Sequence, residues 1–200
     1  MTAGGAGSPR WRRMEPDARR EQILARAVVL FGERPYAAVS TTELARDAGV
    51  ARGLINHYFG TKRELYLEVV RRMVTVPDMA FDDVGGSLAE RVDVVLRWFL
   101  DVLGKHGRTW LAAIGAEGVG SDAEVERIRA EADEQATDRL LAATGLADRP
   151  ELRPRVRAYG GLVKAAAREW LINEAMTRDE VHRLLATTLV AILAETELPR

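Results

Sequence analysis

The chain has 200 residues, 47% of them apolar and 30% charged, a balance that suits an ordinary globular fold and excludes wholesale disorder. It contains no cysteine, which removes disulfides, thiolate metal sites and cysteine nucleophiles together. A net charge of −1 conceals a basic N-terminal third, +5 over residues 1–75, on a remainder of −6 over residues 76–200, the distribution of a nucleic-acid-binding head on a separate body.

In chain order, residues 1–14 are rich in Gly, Ser and Arg and lack the apolar core of a signal peptide. No apolar run approaches the roughly 18 residues of a membrane span, so a cytoplasmic protein without membrane association is expected. A first helix is expected over 17–32, with Ile23, Leu24, Ala27, Val28 and Phe31 on one face. Two short helices follow over 41–47 and 51–58, and a fourth over 62–74 stops ahead of Pro77. Residues 76–86 form the joint between head and body. Beyond them come a nearly all-apolar helix over 88–105, a glycine-interrupted one over 109–119 and a charged one over 122–143. Two more, over 153–174 and 178–195, complete about nine. Five Ser/Thr-x-x-Glu capping boxes mark helix starts: Ser40/Glu43, Thr61/Glu64, Ser87/Glu90, Ser121/Glu124 and Thr177/Glu180. In each, hydroxyl and carboxylate satisfy two orphan amide donors. No stretch alternates with period two. The expected fold is all-α: a basic arm over 1–16, an N-terminal three-helix DNA-binding domain over 17–62 and a C-terminal helical bundle over 63–200.

Residues 41–58 have the spacing of a helix-turn-helix. Ala45 is small where two steeply crossed helices nearly touch, Gly49 supplies the left-handed residue of a sharp turn, and Leu44, Val50 and Ile55 fill the core beneath. In such a motif the second helix enters the major groove.

The run from Ala48 to Leu65, with Ile23, Ala27, Leu30-Phe31, Tyr36 and Val39 to Thr42 before it, resembles the tetracycline-repressor (TetR) family over roughly residues 17–70. The stretch Arg168 to Leu171 and the capped final helix are similar to that family's dimerising end. The resemblance implies a homodimeric regulator, by default a repressor, released from a palindromic double-stranded DNA operator by a small-molecule effector. It implies phosphate contacts from Ser40, Thr41, Tyr58 and Lys62, and reach to a base from Thr42. Arg52, Gly53 and Leu54 would open the recognition helix, Arg52 pairing with guanine O6/N7 and Gly53 permitting close approach. His57 would touch bases or backbone. Two positions depart from the family: Asn56 stands where it usually has Tyr, and Ala51 where it has Ser. Asn56 suits adenine N6/N7. Arg10-Trp-Arg-Arg13 in the arm would either meet a minor groove or stay solvated.

For the body, Met73, Trp98, Phe99, Trp110, Tyr159 and Trp170 are the candidate lining of a mostly apolar effector cavity, with core packing as the alternative. Gly160, Ala167, Val181, Leu185, Leu189 and Ile192 are the candidate dimer interface, because the final helix carries a wide apolar stripe beside a helix rich in small residues. Two other readings are weighed. Control by a protein partner, or by no effector, is open. An all-α enzyme is disfavoured: His57, His106 and His182 are far apart, no metal-ligand spacing occurs, and there is no phosphate loop or nucleophile elbow. No cofactor is expected.

Overall fold

The computed structural model describes residues 16–75, 85–114 and 122–194. Residues 1–15 of the expected basic arm, most of the 76–86 joint, Ser121 and residues 115–119 of the glycine-interrupted helix lie outside these residues, and Pro16, expected in the arm, opens the first helix. The described residues form eight α-helices and no strand: α1 Pro16–Glu33, α2 Thr41–Asp47, α3 Arg52–Phe59, α4 Lys62–Val74, α5 Leu88–Ile114, α6 Ala123–Ala143, α7 Arg153–Leu171 and α8 Arg178–Ala194, with 3₁₀ turns at Tyr36–Ala38 and Pro150–Leu152.

Capping chemistry sets most of the starts. Thr61, Ser87 and Thr177 each accept from the third helical amide while the partner Glu accepts from the cap amide. Two boxes differ from expectation. Ser40 caps α2 by accepting from the Glu43 amide at 3.1 Å, but the Glu43 carboxylate is drawn away to Arg34. Helix α6 is capped by Asp122, which accepts from the Glu124 amide at 2.9 Å. Helix α7 ends three residues earlier than its pattern suggested, in a turn where the Ala175 amide donates to Glu169 O at 2.9 Å and Glu174 takes a positive φ of 54°.

Two apolar cores result. The first gathers α1 to α4 around Ile23, Phe31, Leu44, Ile55, Leu65 and Val69, and it includes Val125 and Ile128 from α6. Phe31, Tyr36 and Tyr66 close it, the Phe31–Tyr66 pair edge-on at 5.0 Å and Tyr36–Tyr66 tilted at 4.9 Å. The second joins α5, α7 and α8 through Leu100, Tyr159, Val181, Leu185 and Leu189, together with Leu141 near the end of α6 and Leu152 of the second 3₁₀ turn. Helix α6 therefore runs between both cores, tied to α4 by Arg63–Asp122 at 2.9 Å and Arg71–Glu124 at 3.1 Å. The division expected at residues 62 and 63 falls at the start of α4, whose buried side chains all join the first core.

The apolar and glycine-interrupted helices expected over 88–105 and 109–119 are one helix as far as Ile114, so eight α-helices replace about nine. Glycine weakens a helix locally, but here α7 rests on it. A Cβ at Gly107 would fall 2.3 Å from Leu171 Cδ1, and one at Gly104 would lie 3.6 Å from Trp170. Tertiary contact holds the helix straight through both.

A second correction concerns the candidate interface. Ala167, Val181, Leu185 and Leu189 are buried in the chain's own second core, so their side chains are not available to a partner. Gly160 and Ile192 stay half-buried. The apolar stripe was wide because α5 and α7 both pack on α8.

Candidate nucleic-acid interface

The site begins with the turn between α2 and α3. Gly49 has φ 64°, its amide donates to Arg46 O at 3.2 Å, and the Val50 amide donates to Ala45 O at 2.9 Å. This paired arrangement closes a helix end through a left-handed residue. Ala45, Leu44 and Ile55 are buried beneath it, and Val50 is half-buried against the same core. Gln22 of α1 donates to Ala48 O at 3.0 Å, satisfying a carbonyl at the end of α2.

Other links fix the surroundings. Arg34 binds Glu43 and also donates to Ala38 O, so one guanidinium joins the end of α1, the 3₁₀ turn and α2. That hydrogen bond holds the Glu43 carboxyl below its ordinary range. Arg20 pairs with Glu68 and lies 4.9 Å from the Phe59 ring centre, bracing the end of α3. Gly60, at φ 74°, ends α3, and a Cβ there would strike the Glu64 carboxylate that serves the next cap.

With its back secured, α3 presents a defined outer surface. Ile55 and Phe59 are buried, Leu54 and Tyr58 half-buried, and Arg52, Gly53, Asn56 and His57 exposed. The His57 and Tyr58 rings meet edge-on at 5.0 Å. Ser40 and Thr42 are exposed and Thr41 half-buried at the start of α2. Ser40 uses a lone pair for its cap, leaving its hydroxyl proton free to donate outward. Lys62 is arranged differently from a freely solvated lysine. Its ammonium donates to Tyr36 O at 2.7 Å and sits 4.0 Å from the Tyr36 ring centre, and burial pushes its pKa below the usual lysine value. All ten expected DNA-contact residues therefore come from α2, α3 and the starts of α2 and α4. Gln22, Arg34 and Arg20 position this surface and were not found from sequence, because nothing local distinguishes them from solvated side chains.

The six candidate effector residues divide. Phe99, Trp110, Tyr159 and Trp170 meet in the second core, the first two edge-on at 6.4 Å. The Tyr159 hydroxyl is committed to Leu185 O at 3.0 Å, and burial raises its pKa. Met73 packs on the first core instead. Trp98 is half-buried, one residue before Phe99 and so turned off that helix's shared face. Among the described residues no group of three or more His, Asp or Glu could hold a metal ion, and no helix is long and apolar enough to cross a membrane.

Helices α2 and α3, the second braced from behind and polar in front, form a helix-turn-helix. Comparison with known proteins carries this further. The family described as bacterial regulatory proteins, tetR family, matches residues 23–69. The transcriptional activator FasR of Mycolicibacterium smegmatis is 40% identical over 68 residues, covering 34% of this chain and 31% of that protein. The regulator EthR of Mycobacterium tuberculosis is 33% identical over 113 residues, covering 52% of each. The chain thus spans about a third to a half of the length of these curated relatives. Over nearly its whole length it superposes on a tetR-family transcriptional regulator from Streptomyces coelicolor, with a TM-score of 0.73, 27% identity, and coverage of 91% of this chain and 83% of that one. A fatty acid degradation regulator, FadR of Bacillus halodurans, shares the fold at a TM-score of 0.65 and 17% identity. Residues 23–69 thus match the tetR family, and over most of its length the chain has the fold of a tetR-family regulator. The proteins it matches here are regulators, not enzymes.

Proposed function

We propose that this protein is a cytoplasmic regulator that binds a palindromic DNA operator as a homodimer, with α3 in the major groove. The observation that carries the reading is the outer surface of α3. Arg52 and Asn56 lie one turn apart and exposed, side chains that pair with guanine and adenine edges, on a helix whose turn and buried face are fully braced. Ser40, Thr41, Tyr58 and Lys62 serve phosphate, Thr42 and His57 reach the groove, and Lys62 keeps two donors beyond the one held by Tyr36. A dimer seated at a promoter excludes polymerase, so occupancy represses.

In this reading the head ends near residue 62, and the rest binds effector and partner. Support for pairing through α7 and α8 comes from their outward sides, not from the buried stripe. Ile172 and Leu184 are large, apolar and 42% and 39% exposed, and Cβ atoms at Gly160 and Gly161 would meet nothing within 4 Å. Those surfaces suit close approach of a second copy. The effector is a small, mostly apolar molecule received near Phe99, Trp110 and Trp170.

Selection of binding duplexes from a randomised pool tests the reading, with affinities then measured across salt. Wild type should yield an inverted repeat. Arg52→Ala should lose about 1–3 kcal/mol on that repeat and little on random DNA. Lys62→Ala should lower the salt slope by about one unit. Equal losses for Arg52→Ala on both DNAs would reduce Arg52 to a phosphate contact, and recovery of no duplex would sink the proposal.

A further inference from the structure

Several glycines of this chain have visible reasons. Gly49, Gly60 and Gly145 hold positive φ, and Gly107 lies where a Cβ would fall on Leu171. Gly53 has neither reason. It sits in the first turn of α3 outside the positive-φ set, it is exposed, and a Cβ there would meet nothing within 4 Å. In that backbone most residues are better helix formers than glycine. Among the described residues nothing excludes a side chain there, so the exclusion is assigned to something outside the fold.

The position of Gly53 on α3 narrows what does the excluding. Ile55 and Phe59 mark the buried face, and helical geometry puts Gly53 and His57 opposite them. Arg52 and Asn56 run along one flank, Leu54 and Tyr58 along the other. The missing side chain leaves a shallow hollow at the crest of the helix, with the half-buried Leu54 as an apolar wall. The one apolar protrusion in a major groove is the C5-methyl group of thymine.

We infer that Gly53 is a notch that receives the C5-methyl group of a thymine in each operator half-site, with Leu54 as its wall. The inference rests on the DNA-binding reading above. It makes Gly53 a specificity-determining position through what it omits, and it assigns thymine, beside the guanine and adenine suited to Arg52 and Asn56, to the half-site.

The test uses the full chain and the duplex that wild type recovers from a randomised pool, with deoxyuridine replacing each thymine in turn. For wild type, one thymine per half-site should be sensitive, its uracil analogue binding about fourfold more weakly. Gly53→Ala should bind the all-thymine duplex about tenfold more weakly and no longer distinguish thymine from uracil there, because the alanine methyl fills the hollow. Its unfolding midpoint should be unchanged or up to about 3 °C higher, which separates lost binding from lost structure. The inference is overturned if Gly53→Ala binds like wild type, if no thymine is sensitive, or if the variant still discriminates at the sensitive position. Recovery of no duplex by wild type is a separate result, against DNA binding itself.

Discussion

The four helices before residue 75 and the four after residue 85 follow the same packing rules, but they carry the determinants of their shape in different places. In the head, α2 and α3 have seven and eight residues, too short to be stable alone. Three of their four ends are closed by a local device, the Ser40 cap, the Gly49 turn and the Gly60 stop, and the Thr61 box then opens α4. Such devices are written in consecutive residues. In the body, α5 runs for 27 residues through two glycines because α7 lies against them, and α8 buries its stripe on α5 and α7 rather than on a partner. Short helices reveal their boundaries locally; long ones take theirs from neighbours distant in sequence.

The sharpest attack on this contrast is at α8. Leu185 is fully buried, whereas Leu184 next to it is 39% exposed. Leu185→Glu should destabilise the chain by on the order of 4 kcal/mol, with a loss of helical signal that does not depend on protein concentration. Leu184→Glu should leave monomer stability within about 0.5 kcal/mol and raise the dissociation constant of the proposed dimer about tenfold or more by sedimentation. The reverse pattern would return the stripe to the interface.

Gly49→Ala tests the local side of the comparison. A side chain at φ 64° costs about 1–2 kcal/mol, read from denaturant midpoints, although a Cβ there would meet nothing within 4 Å. A neutral result would mean that the head does not depend on its turn glycine.

A smaller effect separates the two glycines inside α5. Gly104→Ala should stabilise by about 0.5–1 kcal/mol, the ordinary helix preference, since its Cβ would only touch Trp170 at 3.6 Å. Gly107→Ala must displace Leu171, so it should fall about 1 kcal/mol short of that gain. Equal gains would mean that the α5–α7 contact does not need glycine.

The smallest effect lies at the tie between α4 and α6. Two hydrogen bonds from Arg63, at 3.1 and 2.9 Å, hold the Asp122 carboxyl below its usual range, helped by the Glu124 amide. A carboxyl depressed in the folded state stabilises above its unfolded pKa, and that contribution fades as pH falls through the folded value. Stability measured from neutral pH down to about pH 3 should decline slightly less in Asp122→Asn than in wild type. An identical decline would remove Asp122 from the acid-sensitive groups.

Legibility of the site divides along the same line. The local roles of Ser40, Gly49 and Thr61 could be read because they depend on neighbours within four residues, and the exposure of Arg52 and Asn56 because it follows from the pattern of one short helix. Gln22, Arg20 and Arg34 could not. Gln22 acts on Ala48, 26 residues away, and Arg20 on Glu68, 48 residues away; no periodicity distinguishes such side chains from solvated ones. Lys62 was recognisable as the first residue of α4, but its seat on Tyr36 depends on where the 3₁₀ turn lies against α4.

By itself the sequence determined the all-helical class, the helix-turn-helix with its boundaries to within a residue, and most of the caps, because hydrogen bonds at helix ends and left-handed turns are local chemistry. Only the tertiary structure decided that two apparent helices are one, that Val181, Leu185 and Leu189 serve the chain's own core, and that α6 joins both cores. An apolar stripe records that a face is buried, not against what, since burial of nonpolar surface has no direction. The partner is chosen only when distant helices come together.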